Sequence, residues 1–118
     1  MSVDSVLKRK SMDFAERVVR LYQYLTAEIH EQVMSKQVLR SGTSIGANIT
    51  EAIYGSSRRD FVAKLQIAKK EAAETLYWLE LLNSCGYIPD KLFSSLSEDW
   101  QELLAMLASA ILTASREL

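Results

Sequence analysis

Gly42-Thr43-Ser44-Ile45-Gly46 matches G-x-S-x-G, the spacing that in hydrolases exposes a nucleophilic serine on a strained strand-to-helix turn. That chemistry needs the turn and a histidine later in the chain. Here the surrounding periodicity is helical, and the one histidine, His30, comes earlier, beside an expected turn between helices. Ser44 is therefore not expected to be a nucleophile. A di-iron site in a helical bundle needs Glu on two helices and Glu-x-x-His on two others. One histidine with no acidic residue three positions before it cannot supply that set. Thiolate zinc sites need several cysteines, and Cys85 is alone. A carboxylate-only cation site would have to draw on Glu51, Glu71 and Glu74. No phosphate-cradling loop or dinucleotide fingerprint is present. The residues predict no catalytic group, no metal and no cofactor.

They do predict a polar line. Arg40, Ser44, Asn48 and Glu51 follow one another at four, four and three residues and so share one side of a helix. Gly42 and Gly46 lie in the same stretch. Each glycine inside a helix costs about 1 kcal/mol relative to alanine, so small residues here make sense where another helix approaches closely. The same glycines fit G-x-x-x-G, but its membrane meaning fails because no run of eighteen uncharged apolar residues exists.

Those residues need helices to hold them, and the periodicity supplies four. Helix one is expected at about 5–28, with Leu7, Ser11, Phe14, Val18, Leu21 and Leu25 on its core side. Helix two is expected at 32–54, carried by Met34, Val38, Ile45, Ile49 and Ala52. Gly55-Ser56-Ser57 breaks the pattern, and Ser57 is placed to cap helix three, 57–85. That helix repeats Phe61, Leu65, Ala68, Ala72, Leu76 or Thr75, Leu79 and Leu82. Gly86-Tyr87-Ile88-Pro89-Asp90 ends it, with Asp90 as cap of helix four, 90–118. Helix four follows Phe93, Leu96, Trp100, Leu103, Leu107, Ala110, Ala114 and Leu118. No segment alternates with period two.

Four long helices joined by short loops predict one all-α domain over 1–118, an antiparallel up-down-up-down four-helix bundle. Across the second turn, antiparallel geometry sets Asn48 beside Leu65 and Arg40 beside Ala73 or Glu74. The expected line-up opposite the polar stripe is Lys69, Ala73 and Glu74, with Glu71 in reach and Arg40–Glu74 as its ion pair. A buried pair of this kind would fix register more than it stabilises. A ligand or partner site is the functional alternative.

A lone bundle needs about one apolar stripe per helix, and two helices carry more. Helix three adds Ile67, Trp78, Leu81 and Cys85, with Glu71 and Glu74 between them. Helix one adds Val19, Tyr22 and Tyr24. One reading is a wide core; the other, which we adopt, is a second buried face for self-association, with Tyr22, Trp78 and Leu81 as interface candidates. At 118 residues with 48% hydrophobic and 25% charged residues the chain has the composition of a soluble globular domain. Its single cysteine excludes an internal disulfide and fits a reducing compartment, so a cytoplasmic location is expected. Its N-terminus lacks the apolar stretch of a signal peptide.

The segments Lys10–Ala15, Leu21–Leu25, Ser35–Ile49 and Phe61–Leu82 together resemble the bacterial four-helix-bundle family of 23S rRNA-intervening-sequence proteins. The resemblance spans nearly the whole chain and is densest over residues 35–82. It implies an antiparallel bundle that assembles into a ring-like homopentamer. A related branch resembles the accessory proteins of diversity-generating retroelements, basic barrels that contact a reverse transcriptase and nucleic acid.

Charge separates this chain from that branch. Net charge is −1, whereas nucleic-acid binders draw affinity from a basic surface. A local basic patch could come from Lys8, Arg9 and Lys10, or from Arg58 and Arg59. The sequence thus predicts a non-enzymatic homo-oligomeric scaffold or interaction protein, with a nucleic-acid-associated accessory factor as the alternative.

Overall fold

Each helix begins and ends where its local chemistry allows. In the computed structural model, which describes residues 2–118, α1 spans Val3–Ala27, α2 Met34–Ile53, α3 Arg58–Ser84 and α4 Asp90–Ser115. The Ser2 hydroxyl accepts from the Ser5 amide at 3.1 Å, and the Ser57 hydroxyl accepts from Asp60 at the same distance, capping α1 and α3. Gly86, at φ 81°, ends α3 in a Schellman turn: its amide donates to the Asn83 carbonyl and that of Tyr87 to Leu82.

Three helix ends differ from expectation. Asp90 is the first residue of α4 rather than its cap; its carboxylate accepts from the Asn83 side chain at 2.9 Å, tying the α3–α4 loop together. Pro89, in extended backbone, precedes the helix instead. Helix two starts at Met34, because the chain must first turn through His30, which sits at φ 61°. Helix four stops at Ser115, which leaves Leu118 beyond it and exposed.

The helices alternate in direction, and each packs on its two chain neighbours, with α1 and α4 closing the square. Among the described residues the backbones of neither diagonal pair, α1 with α3 or α2 with α4, come within 8 Å of each other, and no strand is present. This is an all-α, antiparallel four-helix bundle, 46 × 23 × 22 Å. The core runs as two stacked clusters. One holds Phe14, Val18, Ile45, Ile49, Leu65, Trp100 and Leu107; the other, toward the α1–α2 and α3–α4 loops, holds Leu25, Val38, Leu79, Leu82, Ile88 and Leu96.

All six residues expected on the inner side of α1 are buried there. On α3 the inner position is Thr75, with Leu76 half-buried beside it. On α4 the inner residue after Leu107 is Ile111 rather than Ala110, because a step of four keeps the stripe on the core, and Ala114 follows it as expected. The Trp100 indole donates to the Ala72 carbonyl at 2.8 Å, so this large ring enters the core with its polar atom satisfied.

Candidate functional site

The polar line on α2 divides into three local arrangements. Arg40 donates to Glu71 at 3.0 Å and to Glu74. Glu74 also accepts from the Trp78 indole at 2.9 Å. Asn48 turns back on its own helix, donating to the Ser44 carbonyl and hydroxyl at 2.9 and 3.1 Å. Glu51 pairs with Lys64 at 3.1 Å. The six residues therefore do not form one cluster, and the Arg40 pair is not buried: 51% of the arginine side chain is exposed. Helical phase explains the correction. Residues of equal height across a hairpin need not point at each other, and Lys69 and Ala73 project away from α2 into solvent. Arg40 and the indole N–H together hold the Glu74 carboxyl below the usual carboxylate range, the arginine hydrogen bond being the larger cause.

The innermost polar contact of the α2–α3 seam is a pair the sequence reading passed over. The Thr75 hydroxyl lies 2.9 Å from that of Ser41 and 2.8 Å from the Glu71 carbonyl, and both residues are fully buried. A second missed group is Glu31, 8% exposed. Its carboxylate accepts from the amides of Val33, Met34 and Ser35, the last at 2.8 Å. Burial pushes its pKa up, but those amide bonds outweigh burial and hold it below the ordinary value. An acidic residue just ahead of a helix start was the available signal.

Gly42 and Gly46 do bring two helices together, and the partner is α1. A methyl group at Gly42 would meet the Val18 branches at 2.8 Å, and one at Gly46 would meet the Ser11 hydroxyl at 3.2 Å. Outside this contact a groove of about 420 Å³ runs between α1 and α2, floored by Ser11, Ala15, Gly46 and Ala47. Ser44, inside α2 and bonded to Asn48, has no strained turn to expose it; it lies about 15 Å along α2 from the first residue, Met34, and His30 comes before that start. Among the described residues no three His, Cys, Asp or Glu side chains converge as metal ligands.

Both outer flanks of α2 border an apolar seam. On α1 Met12, Ala15, Val19, Tyr22 and Thr26 follow at alternating steps of three and four. This is a second helical seam beside the one that faces the core, with no charge between its ends. Met12 is 52% and Val19 39% exposed; Tyr22 is half-buried. On α3 Ile67, Glu71, Glu74, Trp78, Leu81 and Cys85 repeat the same steps. Ile67 is 43% exposed, Trp78 and Leu81 are half-buried, and Tyr77 stands edge-on to Trp78 with ring centroids 4.9 Å apart.

The basic candidates gather at the end of the bundle where α1 and α3 begin, but several are already engaged. Lys10 pairs with Glu102 at 2.8 Å and Arg58 with Glu117 at 3.2 Å. Lys8 lies 6.0 Å from the centre of the Tyr54 ring. Arg9 and Arg59 are exposed and make no ion pair among the described residues.

Fold and surface together define a four-helix bundle whose distinguishing feature is a pair of unpartnered apolar seams rather than a pocket of reactive groups. The sequence profile of the 23S rRNA-intervening sequence proteins matches residues 4–109, and the chain belongs to that family. It is similar to a crystal structure at 1.70 Å of a protein of unknown function from the S23 ribosomal protein family of Bacteroides thetaiotaomicron VPI-5482. The two share 54% identity and a TM-score of 0.91 over 93% of this chain and 98% of the other. No curated protein matches. Among the described residues no helix is long and apolar enough to cross a membrane.

Proposed function

We propose that this chain is a non-enzymatic, cytoplasmic scaffold that assembles into a homopentamer and works through the surfaces of the assembly. The observation that carries this reading is the pair of apolar seams on α1 and α3, which the monomer leaves in solvent. Met12, Val19, Ile67 and Tyr77 are each more than a third exposed while making no contribution to either core cluster. Extended apolar surface of this kind marks association sites. The count of five comes from the resemblance to the family.

Size-exclusion chromatography with light scattering tests it. The expected mass is about 66 kDa, five times 13.3 kDa. A monomer at micromolar concentration would refute it.

The alternative, a nucleic-acid-associated accessory factor, draws on Arg9 and Arg59. They share one end of the bundle, and a ring would repeat them around its rim. The name of the S23 ribosomal relative points the same way. Pull-downs from nuclease-treated and untreated lysates separate the two: partners that vanish on nuclease treatment favour the accessory factor.

A further inference from the structure

The two seams are matched in a way that association alone does not require. Val18 against Gly42 and Ser11 against Gly46 set the height of α1 relative to α2. Ser41 with Thr75 and Glu51 with Lys64 set α2 relative to α3. Carried through, these contacts put Met12 close to the height of Glu71, Ala15 to Glu74, Val19 to Trp78, Tyr22 to Leu81 and Thr26 to Cys85. Each pair agrees to within about 3 Å along the bundle axis. α1 and α3 run in the same direction, and over these pairs both seams step three and four residues in the same phase. A rotation about an axis parallel to the bundle preserves height. It therefore carries the α1 seam of one copy onto the α3 seam of the next to within about 3 Å of register.

We propose that copies of this chain join head to tail, the α1 seam of one against the α3 seam of its neighbour, in a parallel, coiled-coil-like contact. This rests on the homo-oligomer reading above and specifies its interface. Three further observations support the pairing. The α1 seam has no charge between Met12 and Thr26, so it offers nothing to repel the α3 carboxylates. Glu71 and Glu74 already have Arg40 as partner, and Glu74 also accepts the Trp78 indole N–H, so neither needs a new counter-charge on being covered. The seams also lie on the two adjacent faces that meet at α2, and a contact between two different, angled faces closes into a ring instead of stopping at a dimer. In that ring α2 turns toward the axis, with Arg40 and Ala47 facing the centre.

Two experiments test the pairing. Val19→Glu and Leu81→Glu each put a charge on one seam at a position outside both core clusters. Each variant is expected to be monomeric with an unchanged helical circular dichroism spectrum. An equimolar mixture should recover one intact contact and run as a heterodimer of about 27 kDa, twice 13.3 kDa. Met12→Glu and Cys85→Glu replace them if either fails to fold. The second experiment uses the native thiol. Thr26→Cys should cross-link under oxidation to Cys85 of the neighbouring copy, giving a ladder of covalent oligomers. The ladder should disappear in Thr26→Cys with Cys85→Ser. An intramolecular link is not expected, because the backbones of α1 and α3, which Cys85 directly follows, do not come within 8 Å, further than a disulfide spans.

A monomeric wild type overturns the homo-oligomer reading itself. An oligomeric wild type overturns only this pairing in any of three cases: either charged variant keeps its full mass, the mixture stays monomeric, or Thr26→Cys gives no ladder.

Discussion

Arg40 holds two carboxylates while keeping half of its side chain in water, and that decides how much the contact is worth. Exposed ion pairs contribute about 0.2–1 kcal/mol, well below the cost expected had the pair been enclosed. Arg40→Met and Glu74→Gln should each destabilise by no more than about that amount. A double-mutant cycle in urea should still return a non-zero coupling, because Glu74 accepts from Arg40 directly. Strict additivity would mean that the two act independently. Glu31 is the more consequential carboxylate. It satisfies three amides at the start of α2, those of Val33, Met34 and Ser35. Its folded-state pKa lies below that of the unfolded chain, so its contribution is fully present above the unfolded carboxylate range, near about 4.3. It is lost as pH falls through the folded value. Melting temperature measured from pH 7 to pH 3 should therefore fall, and Glu31→Ala should start lower, by about 1–2 kcal/mol. The two curves should converge in acid; parallel curves would show that the amide bonds carry no linked proton.

At the scale of the element, α2 is a helix chosen for what approaches it. Its glycines cost helix propensity, and the return is the close contact with α1. Val18 is branched at Cβ, buried and stiff, so a methyl group at Gly42, 2.8 Å from it, has nowhere to go. Gly42→Ala should destabilise by about 1–3 kcal/mol through overpacking, despite its gain in propensity. Val18→Ala in the same chain should recover part of that loss. At Gly46 the neighbour is the Ser11 hydroxyl at 3.2 Å, so Gly46→Ala should be nearly neutral and Gly46→Leu clearly destabilising. Thermal melts of the four variants separate these cases. If Gly42→Ala and Gly46→Leu both raised the melting temperature, the glycines would be helix defects and not packing sites.

For the molecule as a whole, charge bears on the choice between scaffold and accessory factor. Net charge is −1, and two of the five basic candidates are tied to glutamates on α4 or just after it. Binding to generic duplex DNA or RNA at physiological salt should be no tighter than about 10⁻⁴–10⁻⁶ M. Any binding should weaken steeply with added salt, and Arg58→Ala with Arg59→Ala should reduce the slope of that dependence. Fluorescence anisotropy across a salt series measures it. Nanomolar affinity for one RNA that survived high salt would reverse the order of the two functional readings.

The number of helices, their direction and most of their inner residues were legible in the chain because a 3.6-residue period and a few turn residues are local properties. Leu7, Phe14, Val18 and Leu25 fall on one side of α1 whatever that side packs against, and Ser57 caps α3 from its own next turn. The surplus apolar residues on α1 and α3 were legible for the same reason. Height across a hairpin was legible too, since it follows from loop length; direction around each helix was not. Arg40 and Glu74 were therefore paired correctly yet given the wrong degree of burial, and Lys69 and Ala73 were set on a side they do not occupy. Only the assembled bundle decided that Ser41 and Thr75 fill the inside of the α2–α3 seam, that Glu31 folds back on α2, and that the glycines meet α1. It also set the two outer seams to within about 3 Å of one height. That relation passes through two helix contacts, and its geometry exists only once three helices are packed together.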